Sequence, residues 1–246
     1  MMTNIKLDIL VLAAHPDDAE LSCSGTILKH IQKGKKVGII DLTQGELGSR
    51  GTIETRYAEA KKASEILGIS VRENLKLADG FFQNDKESQL AIIKMIRKYQ
   101  PEIVLANAIH DRHPDHGKGA RVAVDACFLS GLRMIETTLN GENQAIWRPK
   151  NLYHYIQDQY ITPDFVVDIS DFWETKKAAI RAYETQFFSQ NTDLDASMPV
   201  TYISTPEFLE FLEARAKELG HQINVKYGEG FTKTRILGVE NLFDLK

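Results

Sequence analysis

Apolar runs of strand length alternate with stretches of helical periodicity through the first half of the chain. Residues 8–14 contain Ile9-Leu10-Val11-Leu12-Ala13-Ala14 and read as a strand; residues 35–43, with Val37, Ile39, Ile40 and Leu42, read as a second. Runs this continuous in hydropathy mark strands covered on both faces. Residues 19–32 between them read as a helix. Residues 54–67 place Tyr57, Ala60, Ala63, Ile66 and Leu67 at helical spacing and stop at Gly68. A short strand at 74–77 follows, then a helix over 86–99 with Leu90, Ile93, Ile96 and Arg97 on an amphipathic face, ending before Pro101. Residues 102–107 are the next strand and 117–128 the next helix. This alternation predicts an α/β fold, a mostly parallel sheet with helices on both faces.

The second half changes character. Residues 151–157 and 165–169 read as strands, and 171–183 as a helix capped by Ser170 or Asp171. Residues 186–200 are polar and irregular. Residues 205–219 read as a helix, with Thr205 as cap, Pro206 at the first position and Gly220 at the end. No repeat or linker interrupts the chain, so residues 1–246 are expected to form a single domain whose second half wraps the first.

Composition narrows the partners. The chain has 246 residues, of which 43% are hydrophobic, enough for one large core. Its net charge of −4 and pI near 6.0 do not call for nucleic acid or an anionic membrane. No apolar run approaches the ~20 residues that span a bilayer, and the first residues lack the pattern of a secretory signal. The two cysteines, Cys23 and Cys127, fit neither a disulfide framework nor a zinc ribbon. A cytoplasmic setting is the expectation, and Cys23 is expected to be a small buried helix residue.

The chemistry concentrates in two loops. His15-Pro16-Asp17-Asp18 follows the first strand, and His110-Asp111-Arg112-His113-Pro114-Asp115-His116 follows the strand at 102–107. Loops at the carboxyl ends of strands are where ligands bind in open α/β sheets. Three protein ligands with an open position is the layout of a catalytic zinc. His15 and Asp18, three apart across a strand-to-helix turn, and His116 from the second loop make such a set. It suits Zn²⁺, with Fe²⁺, Mn²⁺ or Co²⁺ as substitutes. Asp17 is then placed to act as general base. His113, as imidazolium, could stabilise an oxyanion or protonate a leaving amine, and Asp115 could hold that ring in one tautomer. The competing reading of the first loop alone is a helix cap, in which Asp17 or Asp18 accepts backbone N–H groups. His110 reads as a loop residue, and His30, His154 and His221 as ordinary surface or core residues.

Together these loops resemble the PIG-L/LmbE-like family of metal-dependent N-acetylglucosamine deacetylases. The resembling segments are Ala-His-Pro-Asp-Asp-Ala-Glu at 14–20, Thr-Gln-Gly-Glu-Leu-Gly-Ser-Arg-Gly at 43–51 and His-Asp-Arg-His-Pro-Asp-His at 110–116. With Ala-Tyr-Glu-Thr-Gln-Phe at 182–187 and Tyr-Gly-Glu-Gly-Phe at 227–231, the chain looks closest to the bacillithiol-biosynthesis branch, which hydrolyses N-acetylglucosaminyl-L-malate to glucosaminyl-malate and acetate. The resemblance implies a Rossmann-like fold, metal ligands at His15, Asp18 and His116, a general base at Asp17 and a transition-state histidine at His113. It also implies substrate contacts at Arg56 and Arg112, and a homo-oligomer, a hexamer in this branch.

Other readings stay open beside it. The substrate could be another N-acetylglucosaminide, a mycothiol-precursor-like conjugate or a chitooligosaccharide. A metallophosphoesterase would want more carboxylate ligands for a two-metal clamp. A non-catalytic sugar-binding module is the remaining class. Malate carries two carboxylates, so local cations are expected, with Arg56 better placed than Arg50 or Lys118, which read as solvated surface charges. The Gly-rich loop 44–51 lacks both phosphate-binding patterns and reads as a flexible active-site rim. Tyr202 and the polar segment 190–199 are expected to supply a lid or substrate contacts.

Overall fold

The structure is a computed structural model and describes residues 5–188 and 197–245. Seven strands make one sheet in the order β3-β2-β1-β4-β7-β9-β8. In chain order β1 is Ile9–Ala13, α1 Asp18–Gln32, β2 Val37–Thr43, α2 Ile53–Leu67, β3 Val71–Leu77, α3 Lys86–Tyr99, β4 Ile103–Ala106 and α4 Pro114–Leu129. The hairpin β5 (Thr138–Leu139) and β6 (Glu142–Asn143), then β7 (Asn151–Tyr155), β8 (Phe165–Asp168) and α5 (Trp173–Arg181) follow. Then come α6 (Pro206–Gln222) and the last strand, β9 (Gly228–Lys233). Strands β1 to β4 and β7 pair in parallel, while β9 runs antiparallel to both its neighbours, β7 and β8.

The strands read as continuous apolar runs because both faces are covered. Leu10 and Leu12 of β1 join Ile40, Leu42, Val104 and the inner sides of α3 and α4. Ile9, Val11 and Ala13 point the other way, into Ala19, Cys23 and Ile27 of α1. Truncating such a buried leucine to alanine costs about 2–5 kcal/mol. The chain enters the sheet at β1, moves outward through β2 and β3, and returns to the opposite side of β1 at β4. The strand order therefore reverses between β1 and β4, and the crevice at such a switch point is where an open α/β sheet binds ligands. Both His/Asp loops leave the sheet there.

Several boundaries differ from the sequence expectation. Strand β9 was not expected, because Gly228 and Gly230 dilute its pattern. They are required by a close approach: a Cβ on Gly228 would lie 2.6 Å from Val166 Cγ1 and 2.9 Å from the Gly220 nitrogen. Helix α6 runs through Gly220 to Gln222, since that glycine serves the same contact with Tyr227 and does not terminate the helix. Helix α4 starts at Pro114 with His113 as its N-cap, so His116 lies in its first turn. A 3₁₀ turn, Ser170–Phe172, precedes α5, which ends at Arg181 and leaves Tyr183 outside it. Cys23 is buried, as expected. Among the described residues, no helix is long and apolar enough to cross a membrane.

Candidate metal centre and active-site cleft

The first loop is short and tightly turned. Asp17 is the N-cap of α1 with φ 127° and ψ −25°, a conformation that costs a non-glycine residue about 1–3 kcal/mol. Its side chain makes no capping hydrogen bond, so the capping reading fails for Asp17. Asp18 does accept from a backbone group, the His15 N–H at 3.0 Å. Its carboxylate also accepts from Asn107 Nδ2 and from Gln157 Nε2, each at 2.9 Å. The first loop thus leaves Asp17 without a backbone hydrogen bond from the cap and holds Asp18 clamped.

The second loop brings its histidines to the same point. The rings of His15, His113 and His116 lie with centroids 4.6–5.6 Å apart. Each offers a ring nitrogen within 4.8 Å of the others. Asp18 bridges two of them, with Oδ1 3.1 Å from His116 Nε2 and Oδ2 3.6 Å from His15 Nδ1. Ligands at ordinary metal–nitrogen and metal–oxygen lengths in a tetrahedron stand about 3.3–3.4 Å apart. The three histidines group closely enough to hold a divalent ion, and Asp18 lies against two of them.

The far nitrogens of the same rings are tied down. His15 Nε2 faces Asp79 Oδ1 at 3.0 Å and Asp115 Oδ2 at 3.4 Å. His116 Nδ1 pairs with Asp111 Oδ2 at 2.5 Å. A carboxylate on the remote nitrogen fixes tautomer and orientation and raises ligand basicity. His15, Asp79 and Asp115 also group closely enough to hold an ion. Asp79 also accepts from the Leu47 N–H, and Asp115 from the Gly80 N–H and Lys118 Nζ. Asp18, His116 and Asp79 all line the cleft, whereas Asp115 lies behind it.

Asp115 has a different place from the one its sequence position suggested. Its carboxylate does not reach His113. Instead the Asp115 backbone N–H donates to His113 Nδ1 at 3.2 Å, which leaves the ring proton on Nε2. Asp79, Asp111, Asn107 and Gln157 were missed in the sequence. Asp111 lay inside a motif already singled out, and its i, i+5 spacing to His116 was the available signal. Asp79 and Gln157 carry none, because β3 and β7 deliver them from far along the chain.

Electrostatics separate the groups. Burial raises Asp17 to about 7, against the lowering effect of the Arg56 charge. Burial also opposes ionisation of Asp18, but the charge and hydrogen bonds of His116 and His15 outweigh it and hold Asp18 well below the usual carboxylate range. Burial lowers His116 less than Asp18 and Asp111 raise it, and it stands at about 9 without a metal. His15 is likewise raised well above its ordinary value, since Asp115, Asp18 and Asp79 overcome burial. His113 is lowered by burial and by the neighbouring histidine charges, so at neutral pH it is a neutral donor and not the imidazolium considered above.

His15, Asp17, Asp18, His113 and His116 open into one cleft of about 310 Å³. Arg56 lines it but is only 7% exposed; its Nη1 donates to the Pro16 carbonyl at 2.9 Å and faces Asp17 Oδ2 at 3.3 Å, and Nη2 donates to Gln186. The Gly-rich loop lies against this guanidinium: a Cβ on Gly45 would sit 3.1 Å from Nη1, and one on Gly48 3.2 Å from Nη2. Glycine is used there for close approach. Arg50 and Lys118 are not solvated surface charges. Arg50 is 4% exposed and donates to the Thr185 and Pro199 carbonyls, and Lys118 donates to the Gly80 carbonyl and Asp115. At the rim, Arg112 stacks on Tyr202 at 4.6 Å, and Asp158 accepts from both. Of the segment expected to supply a lid, residues 190–196 lie outside the described residues. His110 does not line the cleft. His154 is buried, with Nδ1 on the Asn107 carbonyl.

Residues 10–127 match the PIG-L family of GlcNAc-PI de-N-acetylases. The crystal structure of a conserved protein from Thermus thermophilus is 37% identical with a TM-score of 0.82, covering 95% of this chain and 98% of that one. The diacetylchitobiose deacetylase of Thermococcus kodakarensis is 29% identical over 191 residues, 73% of this chain and 70% of the relative. A probable N-acetyl-α-D-glucosaminyl L-malate deacetylase 2 of Bacillus anthracis is 26% identical over 216 residues, 82% of this chain and 91% of the relative.

Proposed function

The chain belongs to the PIG-L family of deacetylases, hydrolases of amide C–N bonds in N-acetylglucosamine-containing substrates, and we propose that it removes acetate from N-acetylglucosaminyl-L-malate, a step of bacillithiol biosynthesis. The observation that carries the reading is the pairing of a buried Asp17 at about 7 with the His15–Asp18–His116 set beside it. His15 Nδ1, Asp18 and His116 Nε2 would hold the ion, for which Zn²⁺ is the first choice on donor chemistry and Fe²⁺, Mn²⁺ and Co²⁺ are substitutes. When bound, such an ion supplies Lewis-acid polarisation of an amide oxygen and makes water acidic near neutral pH.

The chain's own groups do the rest. Asp17 takes a proton from water as its oxygen bonds to the acetamide carbon. His113 donates its Nε2–H to the oxygen on which negative charge builds. The proton held on Asp17 then passes to the departing nitrogen as the C–N bond breaks, giving acetate and a free amine. Arg112 and Tyr202 at the rim, with Arg56 behind the Gly-rich loop, are the polar groups proposed for the sugar and the malate carboxylates. A homo-oligomer is part of the proposal, with a hexamer by light scattering as the expected result.

The experiment is free-amine release from N-acetylglucosaminyl-malate beside N-acetylglucosamine and diacetylchitobiose, with zinc-loaded and chelator-stripped protein. Turnover of the malate conjugate at well over tenfold the kcat/KM of the others, lost on stripping and regained with zinc, is expected. Equal kcat/KM for all three removes the malate assignment and leaves the deacetylase.

A further inference from the structure

Two side-chain amides reach the Asp18 carboxylate from the ends of neighbouring strands. Asn107 follows β4, Gln157 lies just beyond β7, and both are buried. An amide side chain can point either way, and here backbone N–H groups decide the direction. Asn107 Oδ1 accepts from the Ala14 N–H at 2.9 Å, and Gln157 Oε1 accepts from the Ala108 N–H at 3.0 Å. A donor needs an oxygen opposite it, so both NH₂ groups face the other way. One N–H of Asn107 Nδ2 donates to Gln157 Oε1 at 3.0 Å and the other to Asp18 Oδ2 at 2.9 Å. Gln157 Nε2 donates to Asp18 Oδ1 at 2.9 Å. Gly119 of α4 leaves room for this circuit, since a Cβ there would stand 3.0 Å from Asn107 Oδ1.

The circuit leaves Asp18 little to offer. A carboxylate has about four lone-pair positions, two on each oxygen. On Oδ2 both are filled, by the His15 N–H at 3.0 Å and by Asn107. On Oδ1 Gln157 fills one. The position that remains is turned to His116, whose Nε2 stands 3.1 Å from Oδ1. Such a carboxylate can give an ion one bond, and a second only by breaking a buried hydrogen bond, which leaves a donor unsatisfied. Zn²⁺ among nitrogen and oxygen ligands is satisfied with four coordination positions, whereas Mn²⁺ favours six-coordinate, oxygen-rich sites.

We propose that Asn107 and Gln157 are positioning residues that restrict Asp18 to a single coordination bond, through Oδ1, and that Asn107 thereby sets a preference for a four-coordinate ion over Mn²⁺. The inference rests on the ligand set proposed above, and metal binding tests it apart from turnover. The two amides have separable roles. Asn107 closes Oδ2 to the ion, and Gln157 aims Oδ1 at it.

The test compares wild type, Asn107→Ala and Gln157→Leu. Zn²⁺ and Mn²⁺ affinities are read by competition with a chelating dye, and coordination number by the visible spectrum of the Co²⁺-loaded protein. Wild type should show the intense bands of four-coordinate cobalt. In Asn107→Ala the ratio of Zn²⁺ to Mn²⁺ affinity should fall about tenfold, the scale of an outer hydrogen bond to a ligand, and the cobalt bands should weaken. Asn107→Ser, which keeps a hydroxyl but no amide, gives the same readout should Asn107→Ala fail to fold. In Gln157→Leu both ions should lose affinity alike, about 10–100-fold, with the cobalt spectrum kept. An unchanged ratio and spectrum in the Asn107 variants, or a wild-type spectrum of higher coordination, overturns the proposal. Wild type that binds none of the three ions refutes the ligand set on which it rests. The expected selectivity in a protein that releases no amine would leave the positioning role standing and refute the proposed reaction instead.

Discussion

The loop after β1 and the loop after β4 use the same two residue types in opposite ways. In the first, the two carboxylates are set apart: Asp17 is buried, strained at φ 127° and raised to about 7, while Asp18 beside it is clamped in the ionised form. In the second, the carboxylates serve the imidazoles: Asp111 anchors His116, and Asp115 turns away to support His15 from behind. Adjacent strands at a switch point let the two loops share one cleft. Chemistry follows from what each carboxylate is bonded to, and a count of His and Asp residues does not reveal it.

The largest expected effect tests that division on the side of the first loop. Asp17→Asn removes the proton acceptor without touching a ligand, so kcat should fall about 10²–10⁴-fold while metal content, read by atomic absorption, stays that of wild type. Lost metal together with lost turnover would make Asp17 a ligand and erase the contrast. The matching change in the second loop is Asp111→Asn. Removing the carboxylate behind a histidine ligand typically costs about 10–100-fold in metal affinity. Competition with a chelating dye should show that loss, with kcat largely kept at saturating metal. An unchanged affinity beside a lost kcat would put Asp111 among the reacting groups.

Titration tests one ring from each loop together, with a smaller effect. Without metal, His116 stands at about 9 and His15 well above its ordinary value, so both rings are protonated at neutral pH. Metal ligation requires them neutral. Affinity should therefore rise with pH, about tenfold per unit for each proton displaced, and level off once pH passes about 9 for His116. Calorimetry in buffers of different ionisation enthalpy at pH 7 should report net proton release. Proton uptake, or affinity flat between pH 6 and 8, would contradict the paired-histidine geometry.

The side chains gathered at the cleft were legible in the sequence because they are local. His15, Asp17 and Asp18 sit within four residues, and His113 and His116 one helical turn apart, each directly after an apolar run that had to be a buried strand. The parallel half of the sheet was legible for the same reason. What stayed hidden is delivered from a distance: Asp79 reaches His15 across 64 residues and Gln157 reaches Asp18 across 139. No periodicity announces such a partner. Strand β9 was hidden by glycines that exist because α6 presses on it, and Arg50 looked like a surface charge because its acceptors, the Thr185 and Pro199 carbonyls, lie in the other half of the chain.

The smallest effect lies where the second loop reaches solvent. Tyr202 is 52% exposed, donates to Asp158 Oδ1 at 3.1 Å and carries the Arg112 guanidinium on its ring. Tyr202→Phe keeps the stacking and loses one hydrogen bond. A net hydrogen bond contributes about 0.5–1.5 kcal/mol, and exposure puts this one at the low end. KM for the aminosugar conjugate should rise two- to threefold, roughly the factor that such an energy gives, with kcat and metal affinity unchanged. Tyr202→Ala also frees Arg112 from the ring, a further loss of about 0.5–1 kcal/mol at an exposed site, so its KM should rise by a few-fold more. A fall in kcat for Tyr202→Phe would mean that the rim takes part in the reaction and does more than orient the substrate above the two loops.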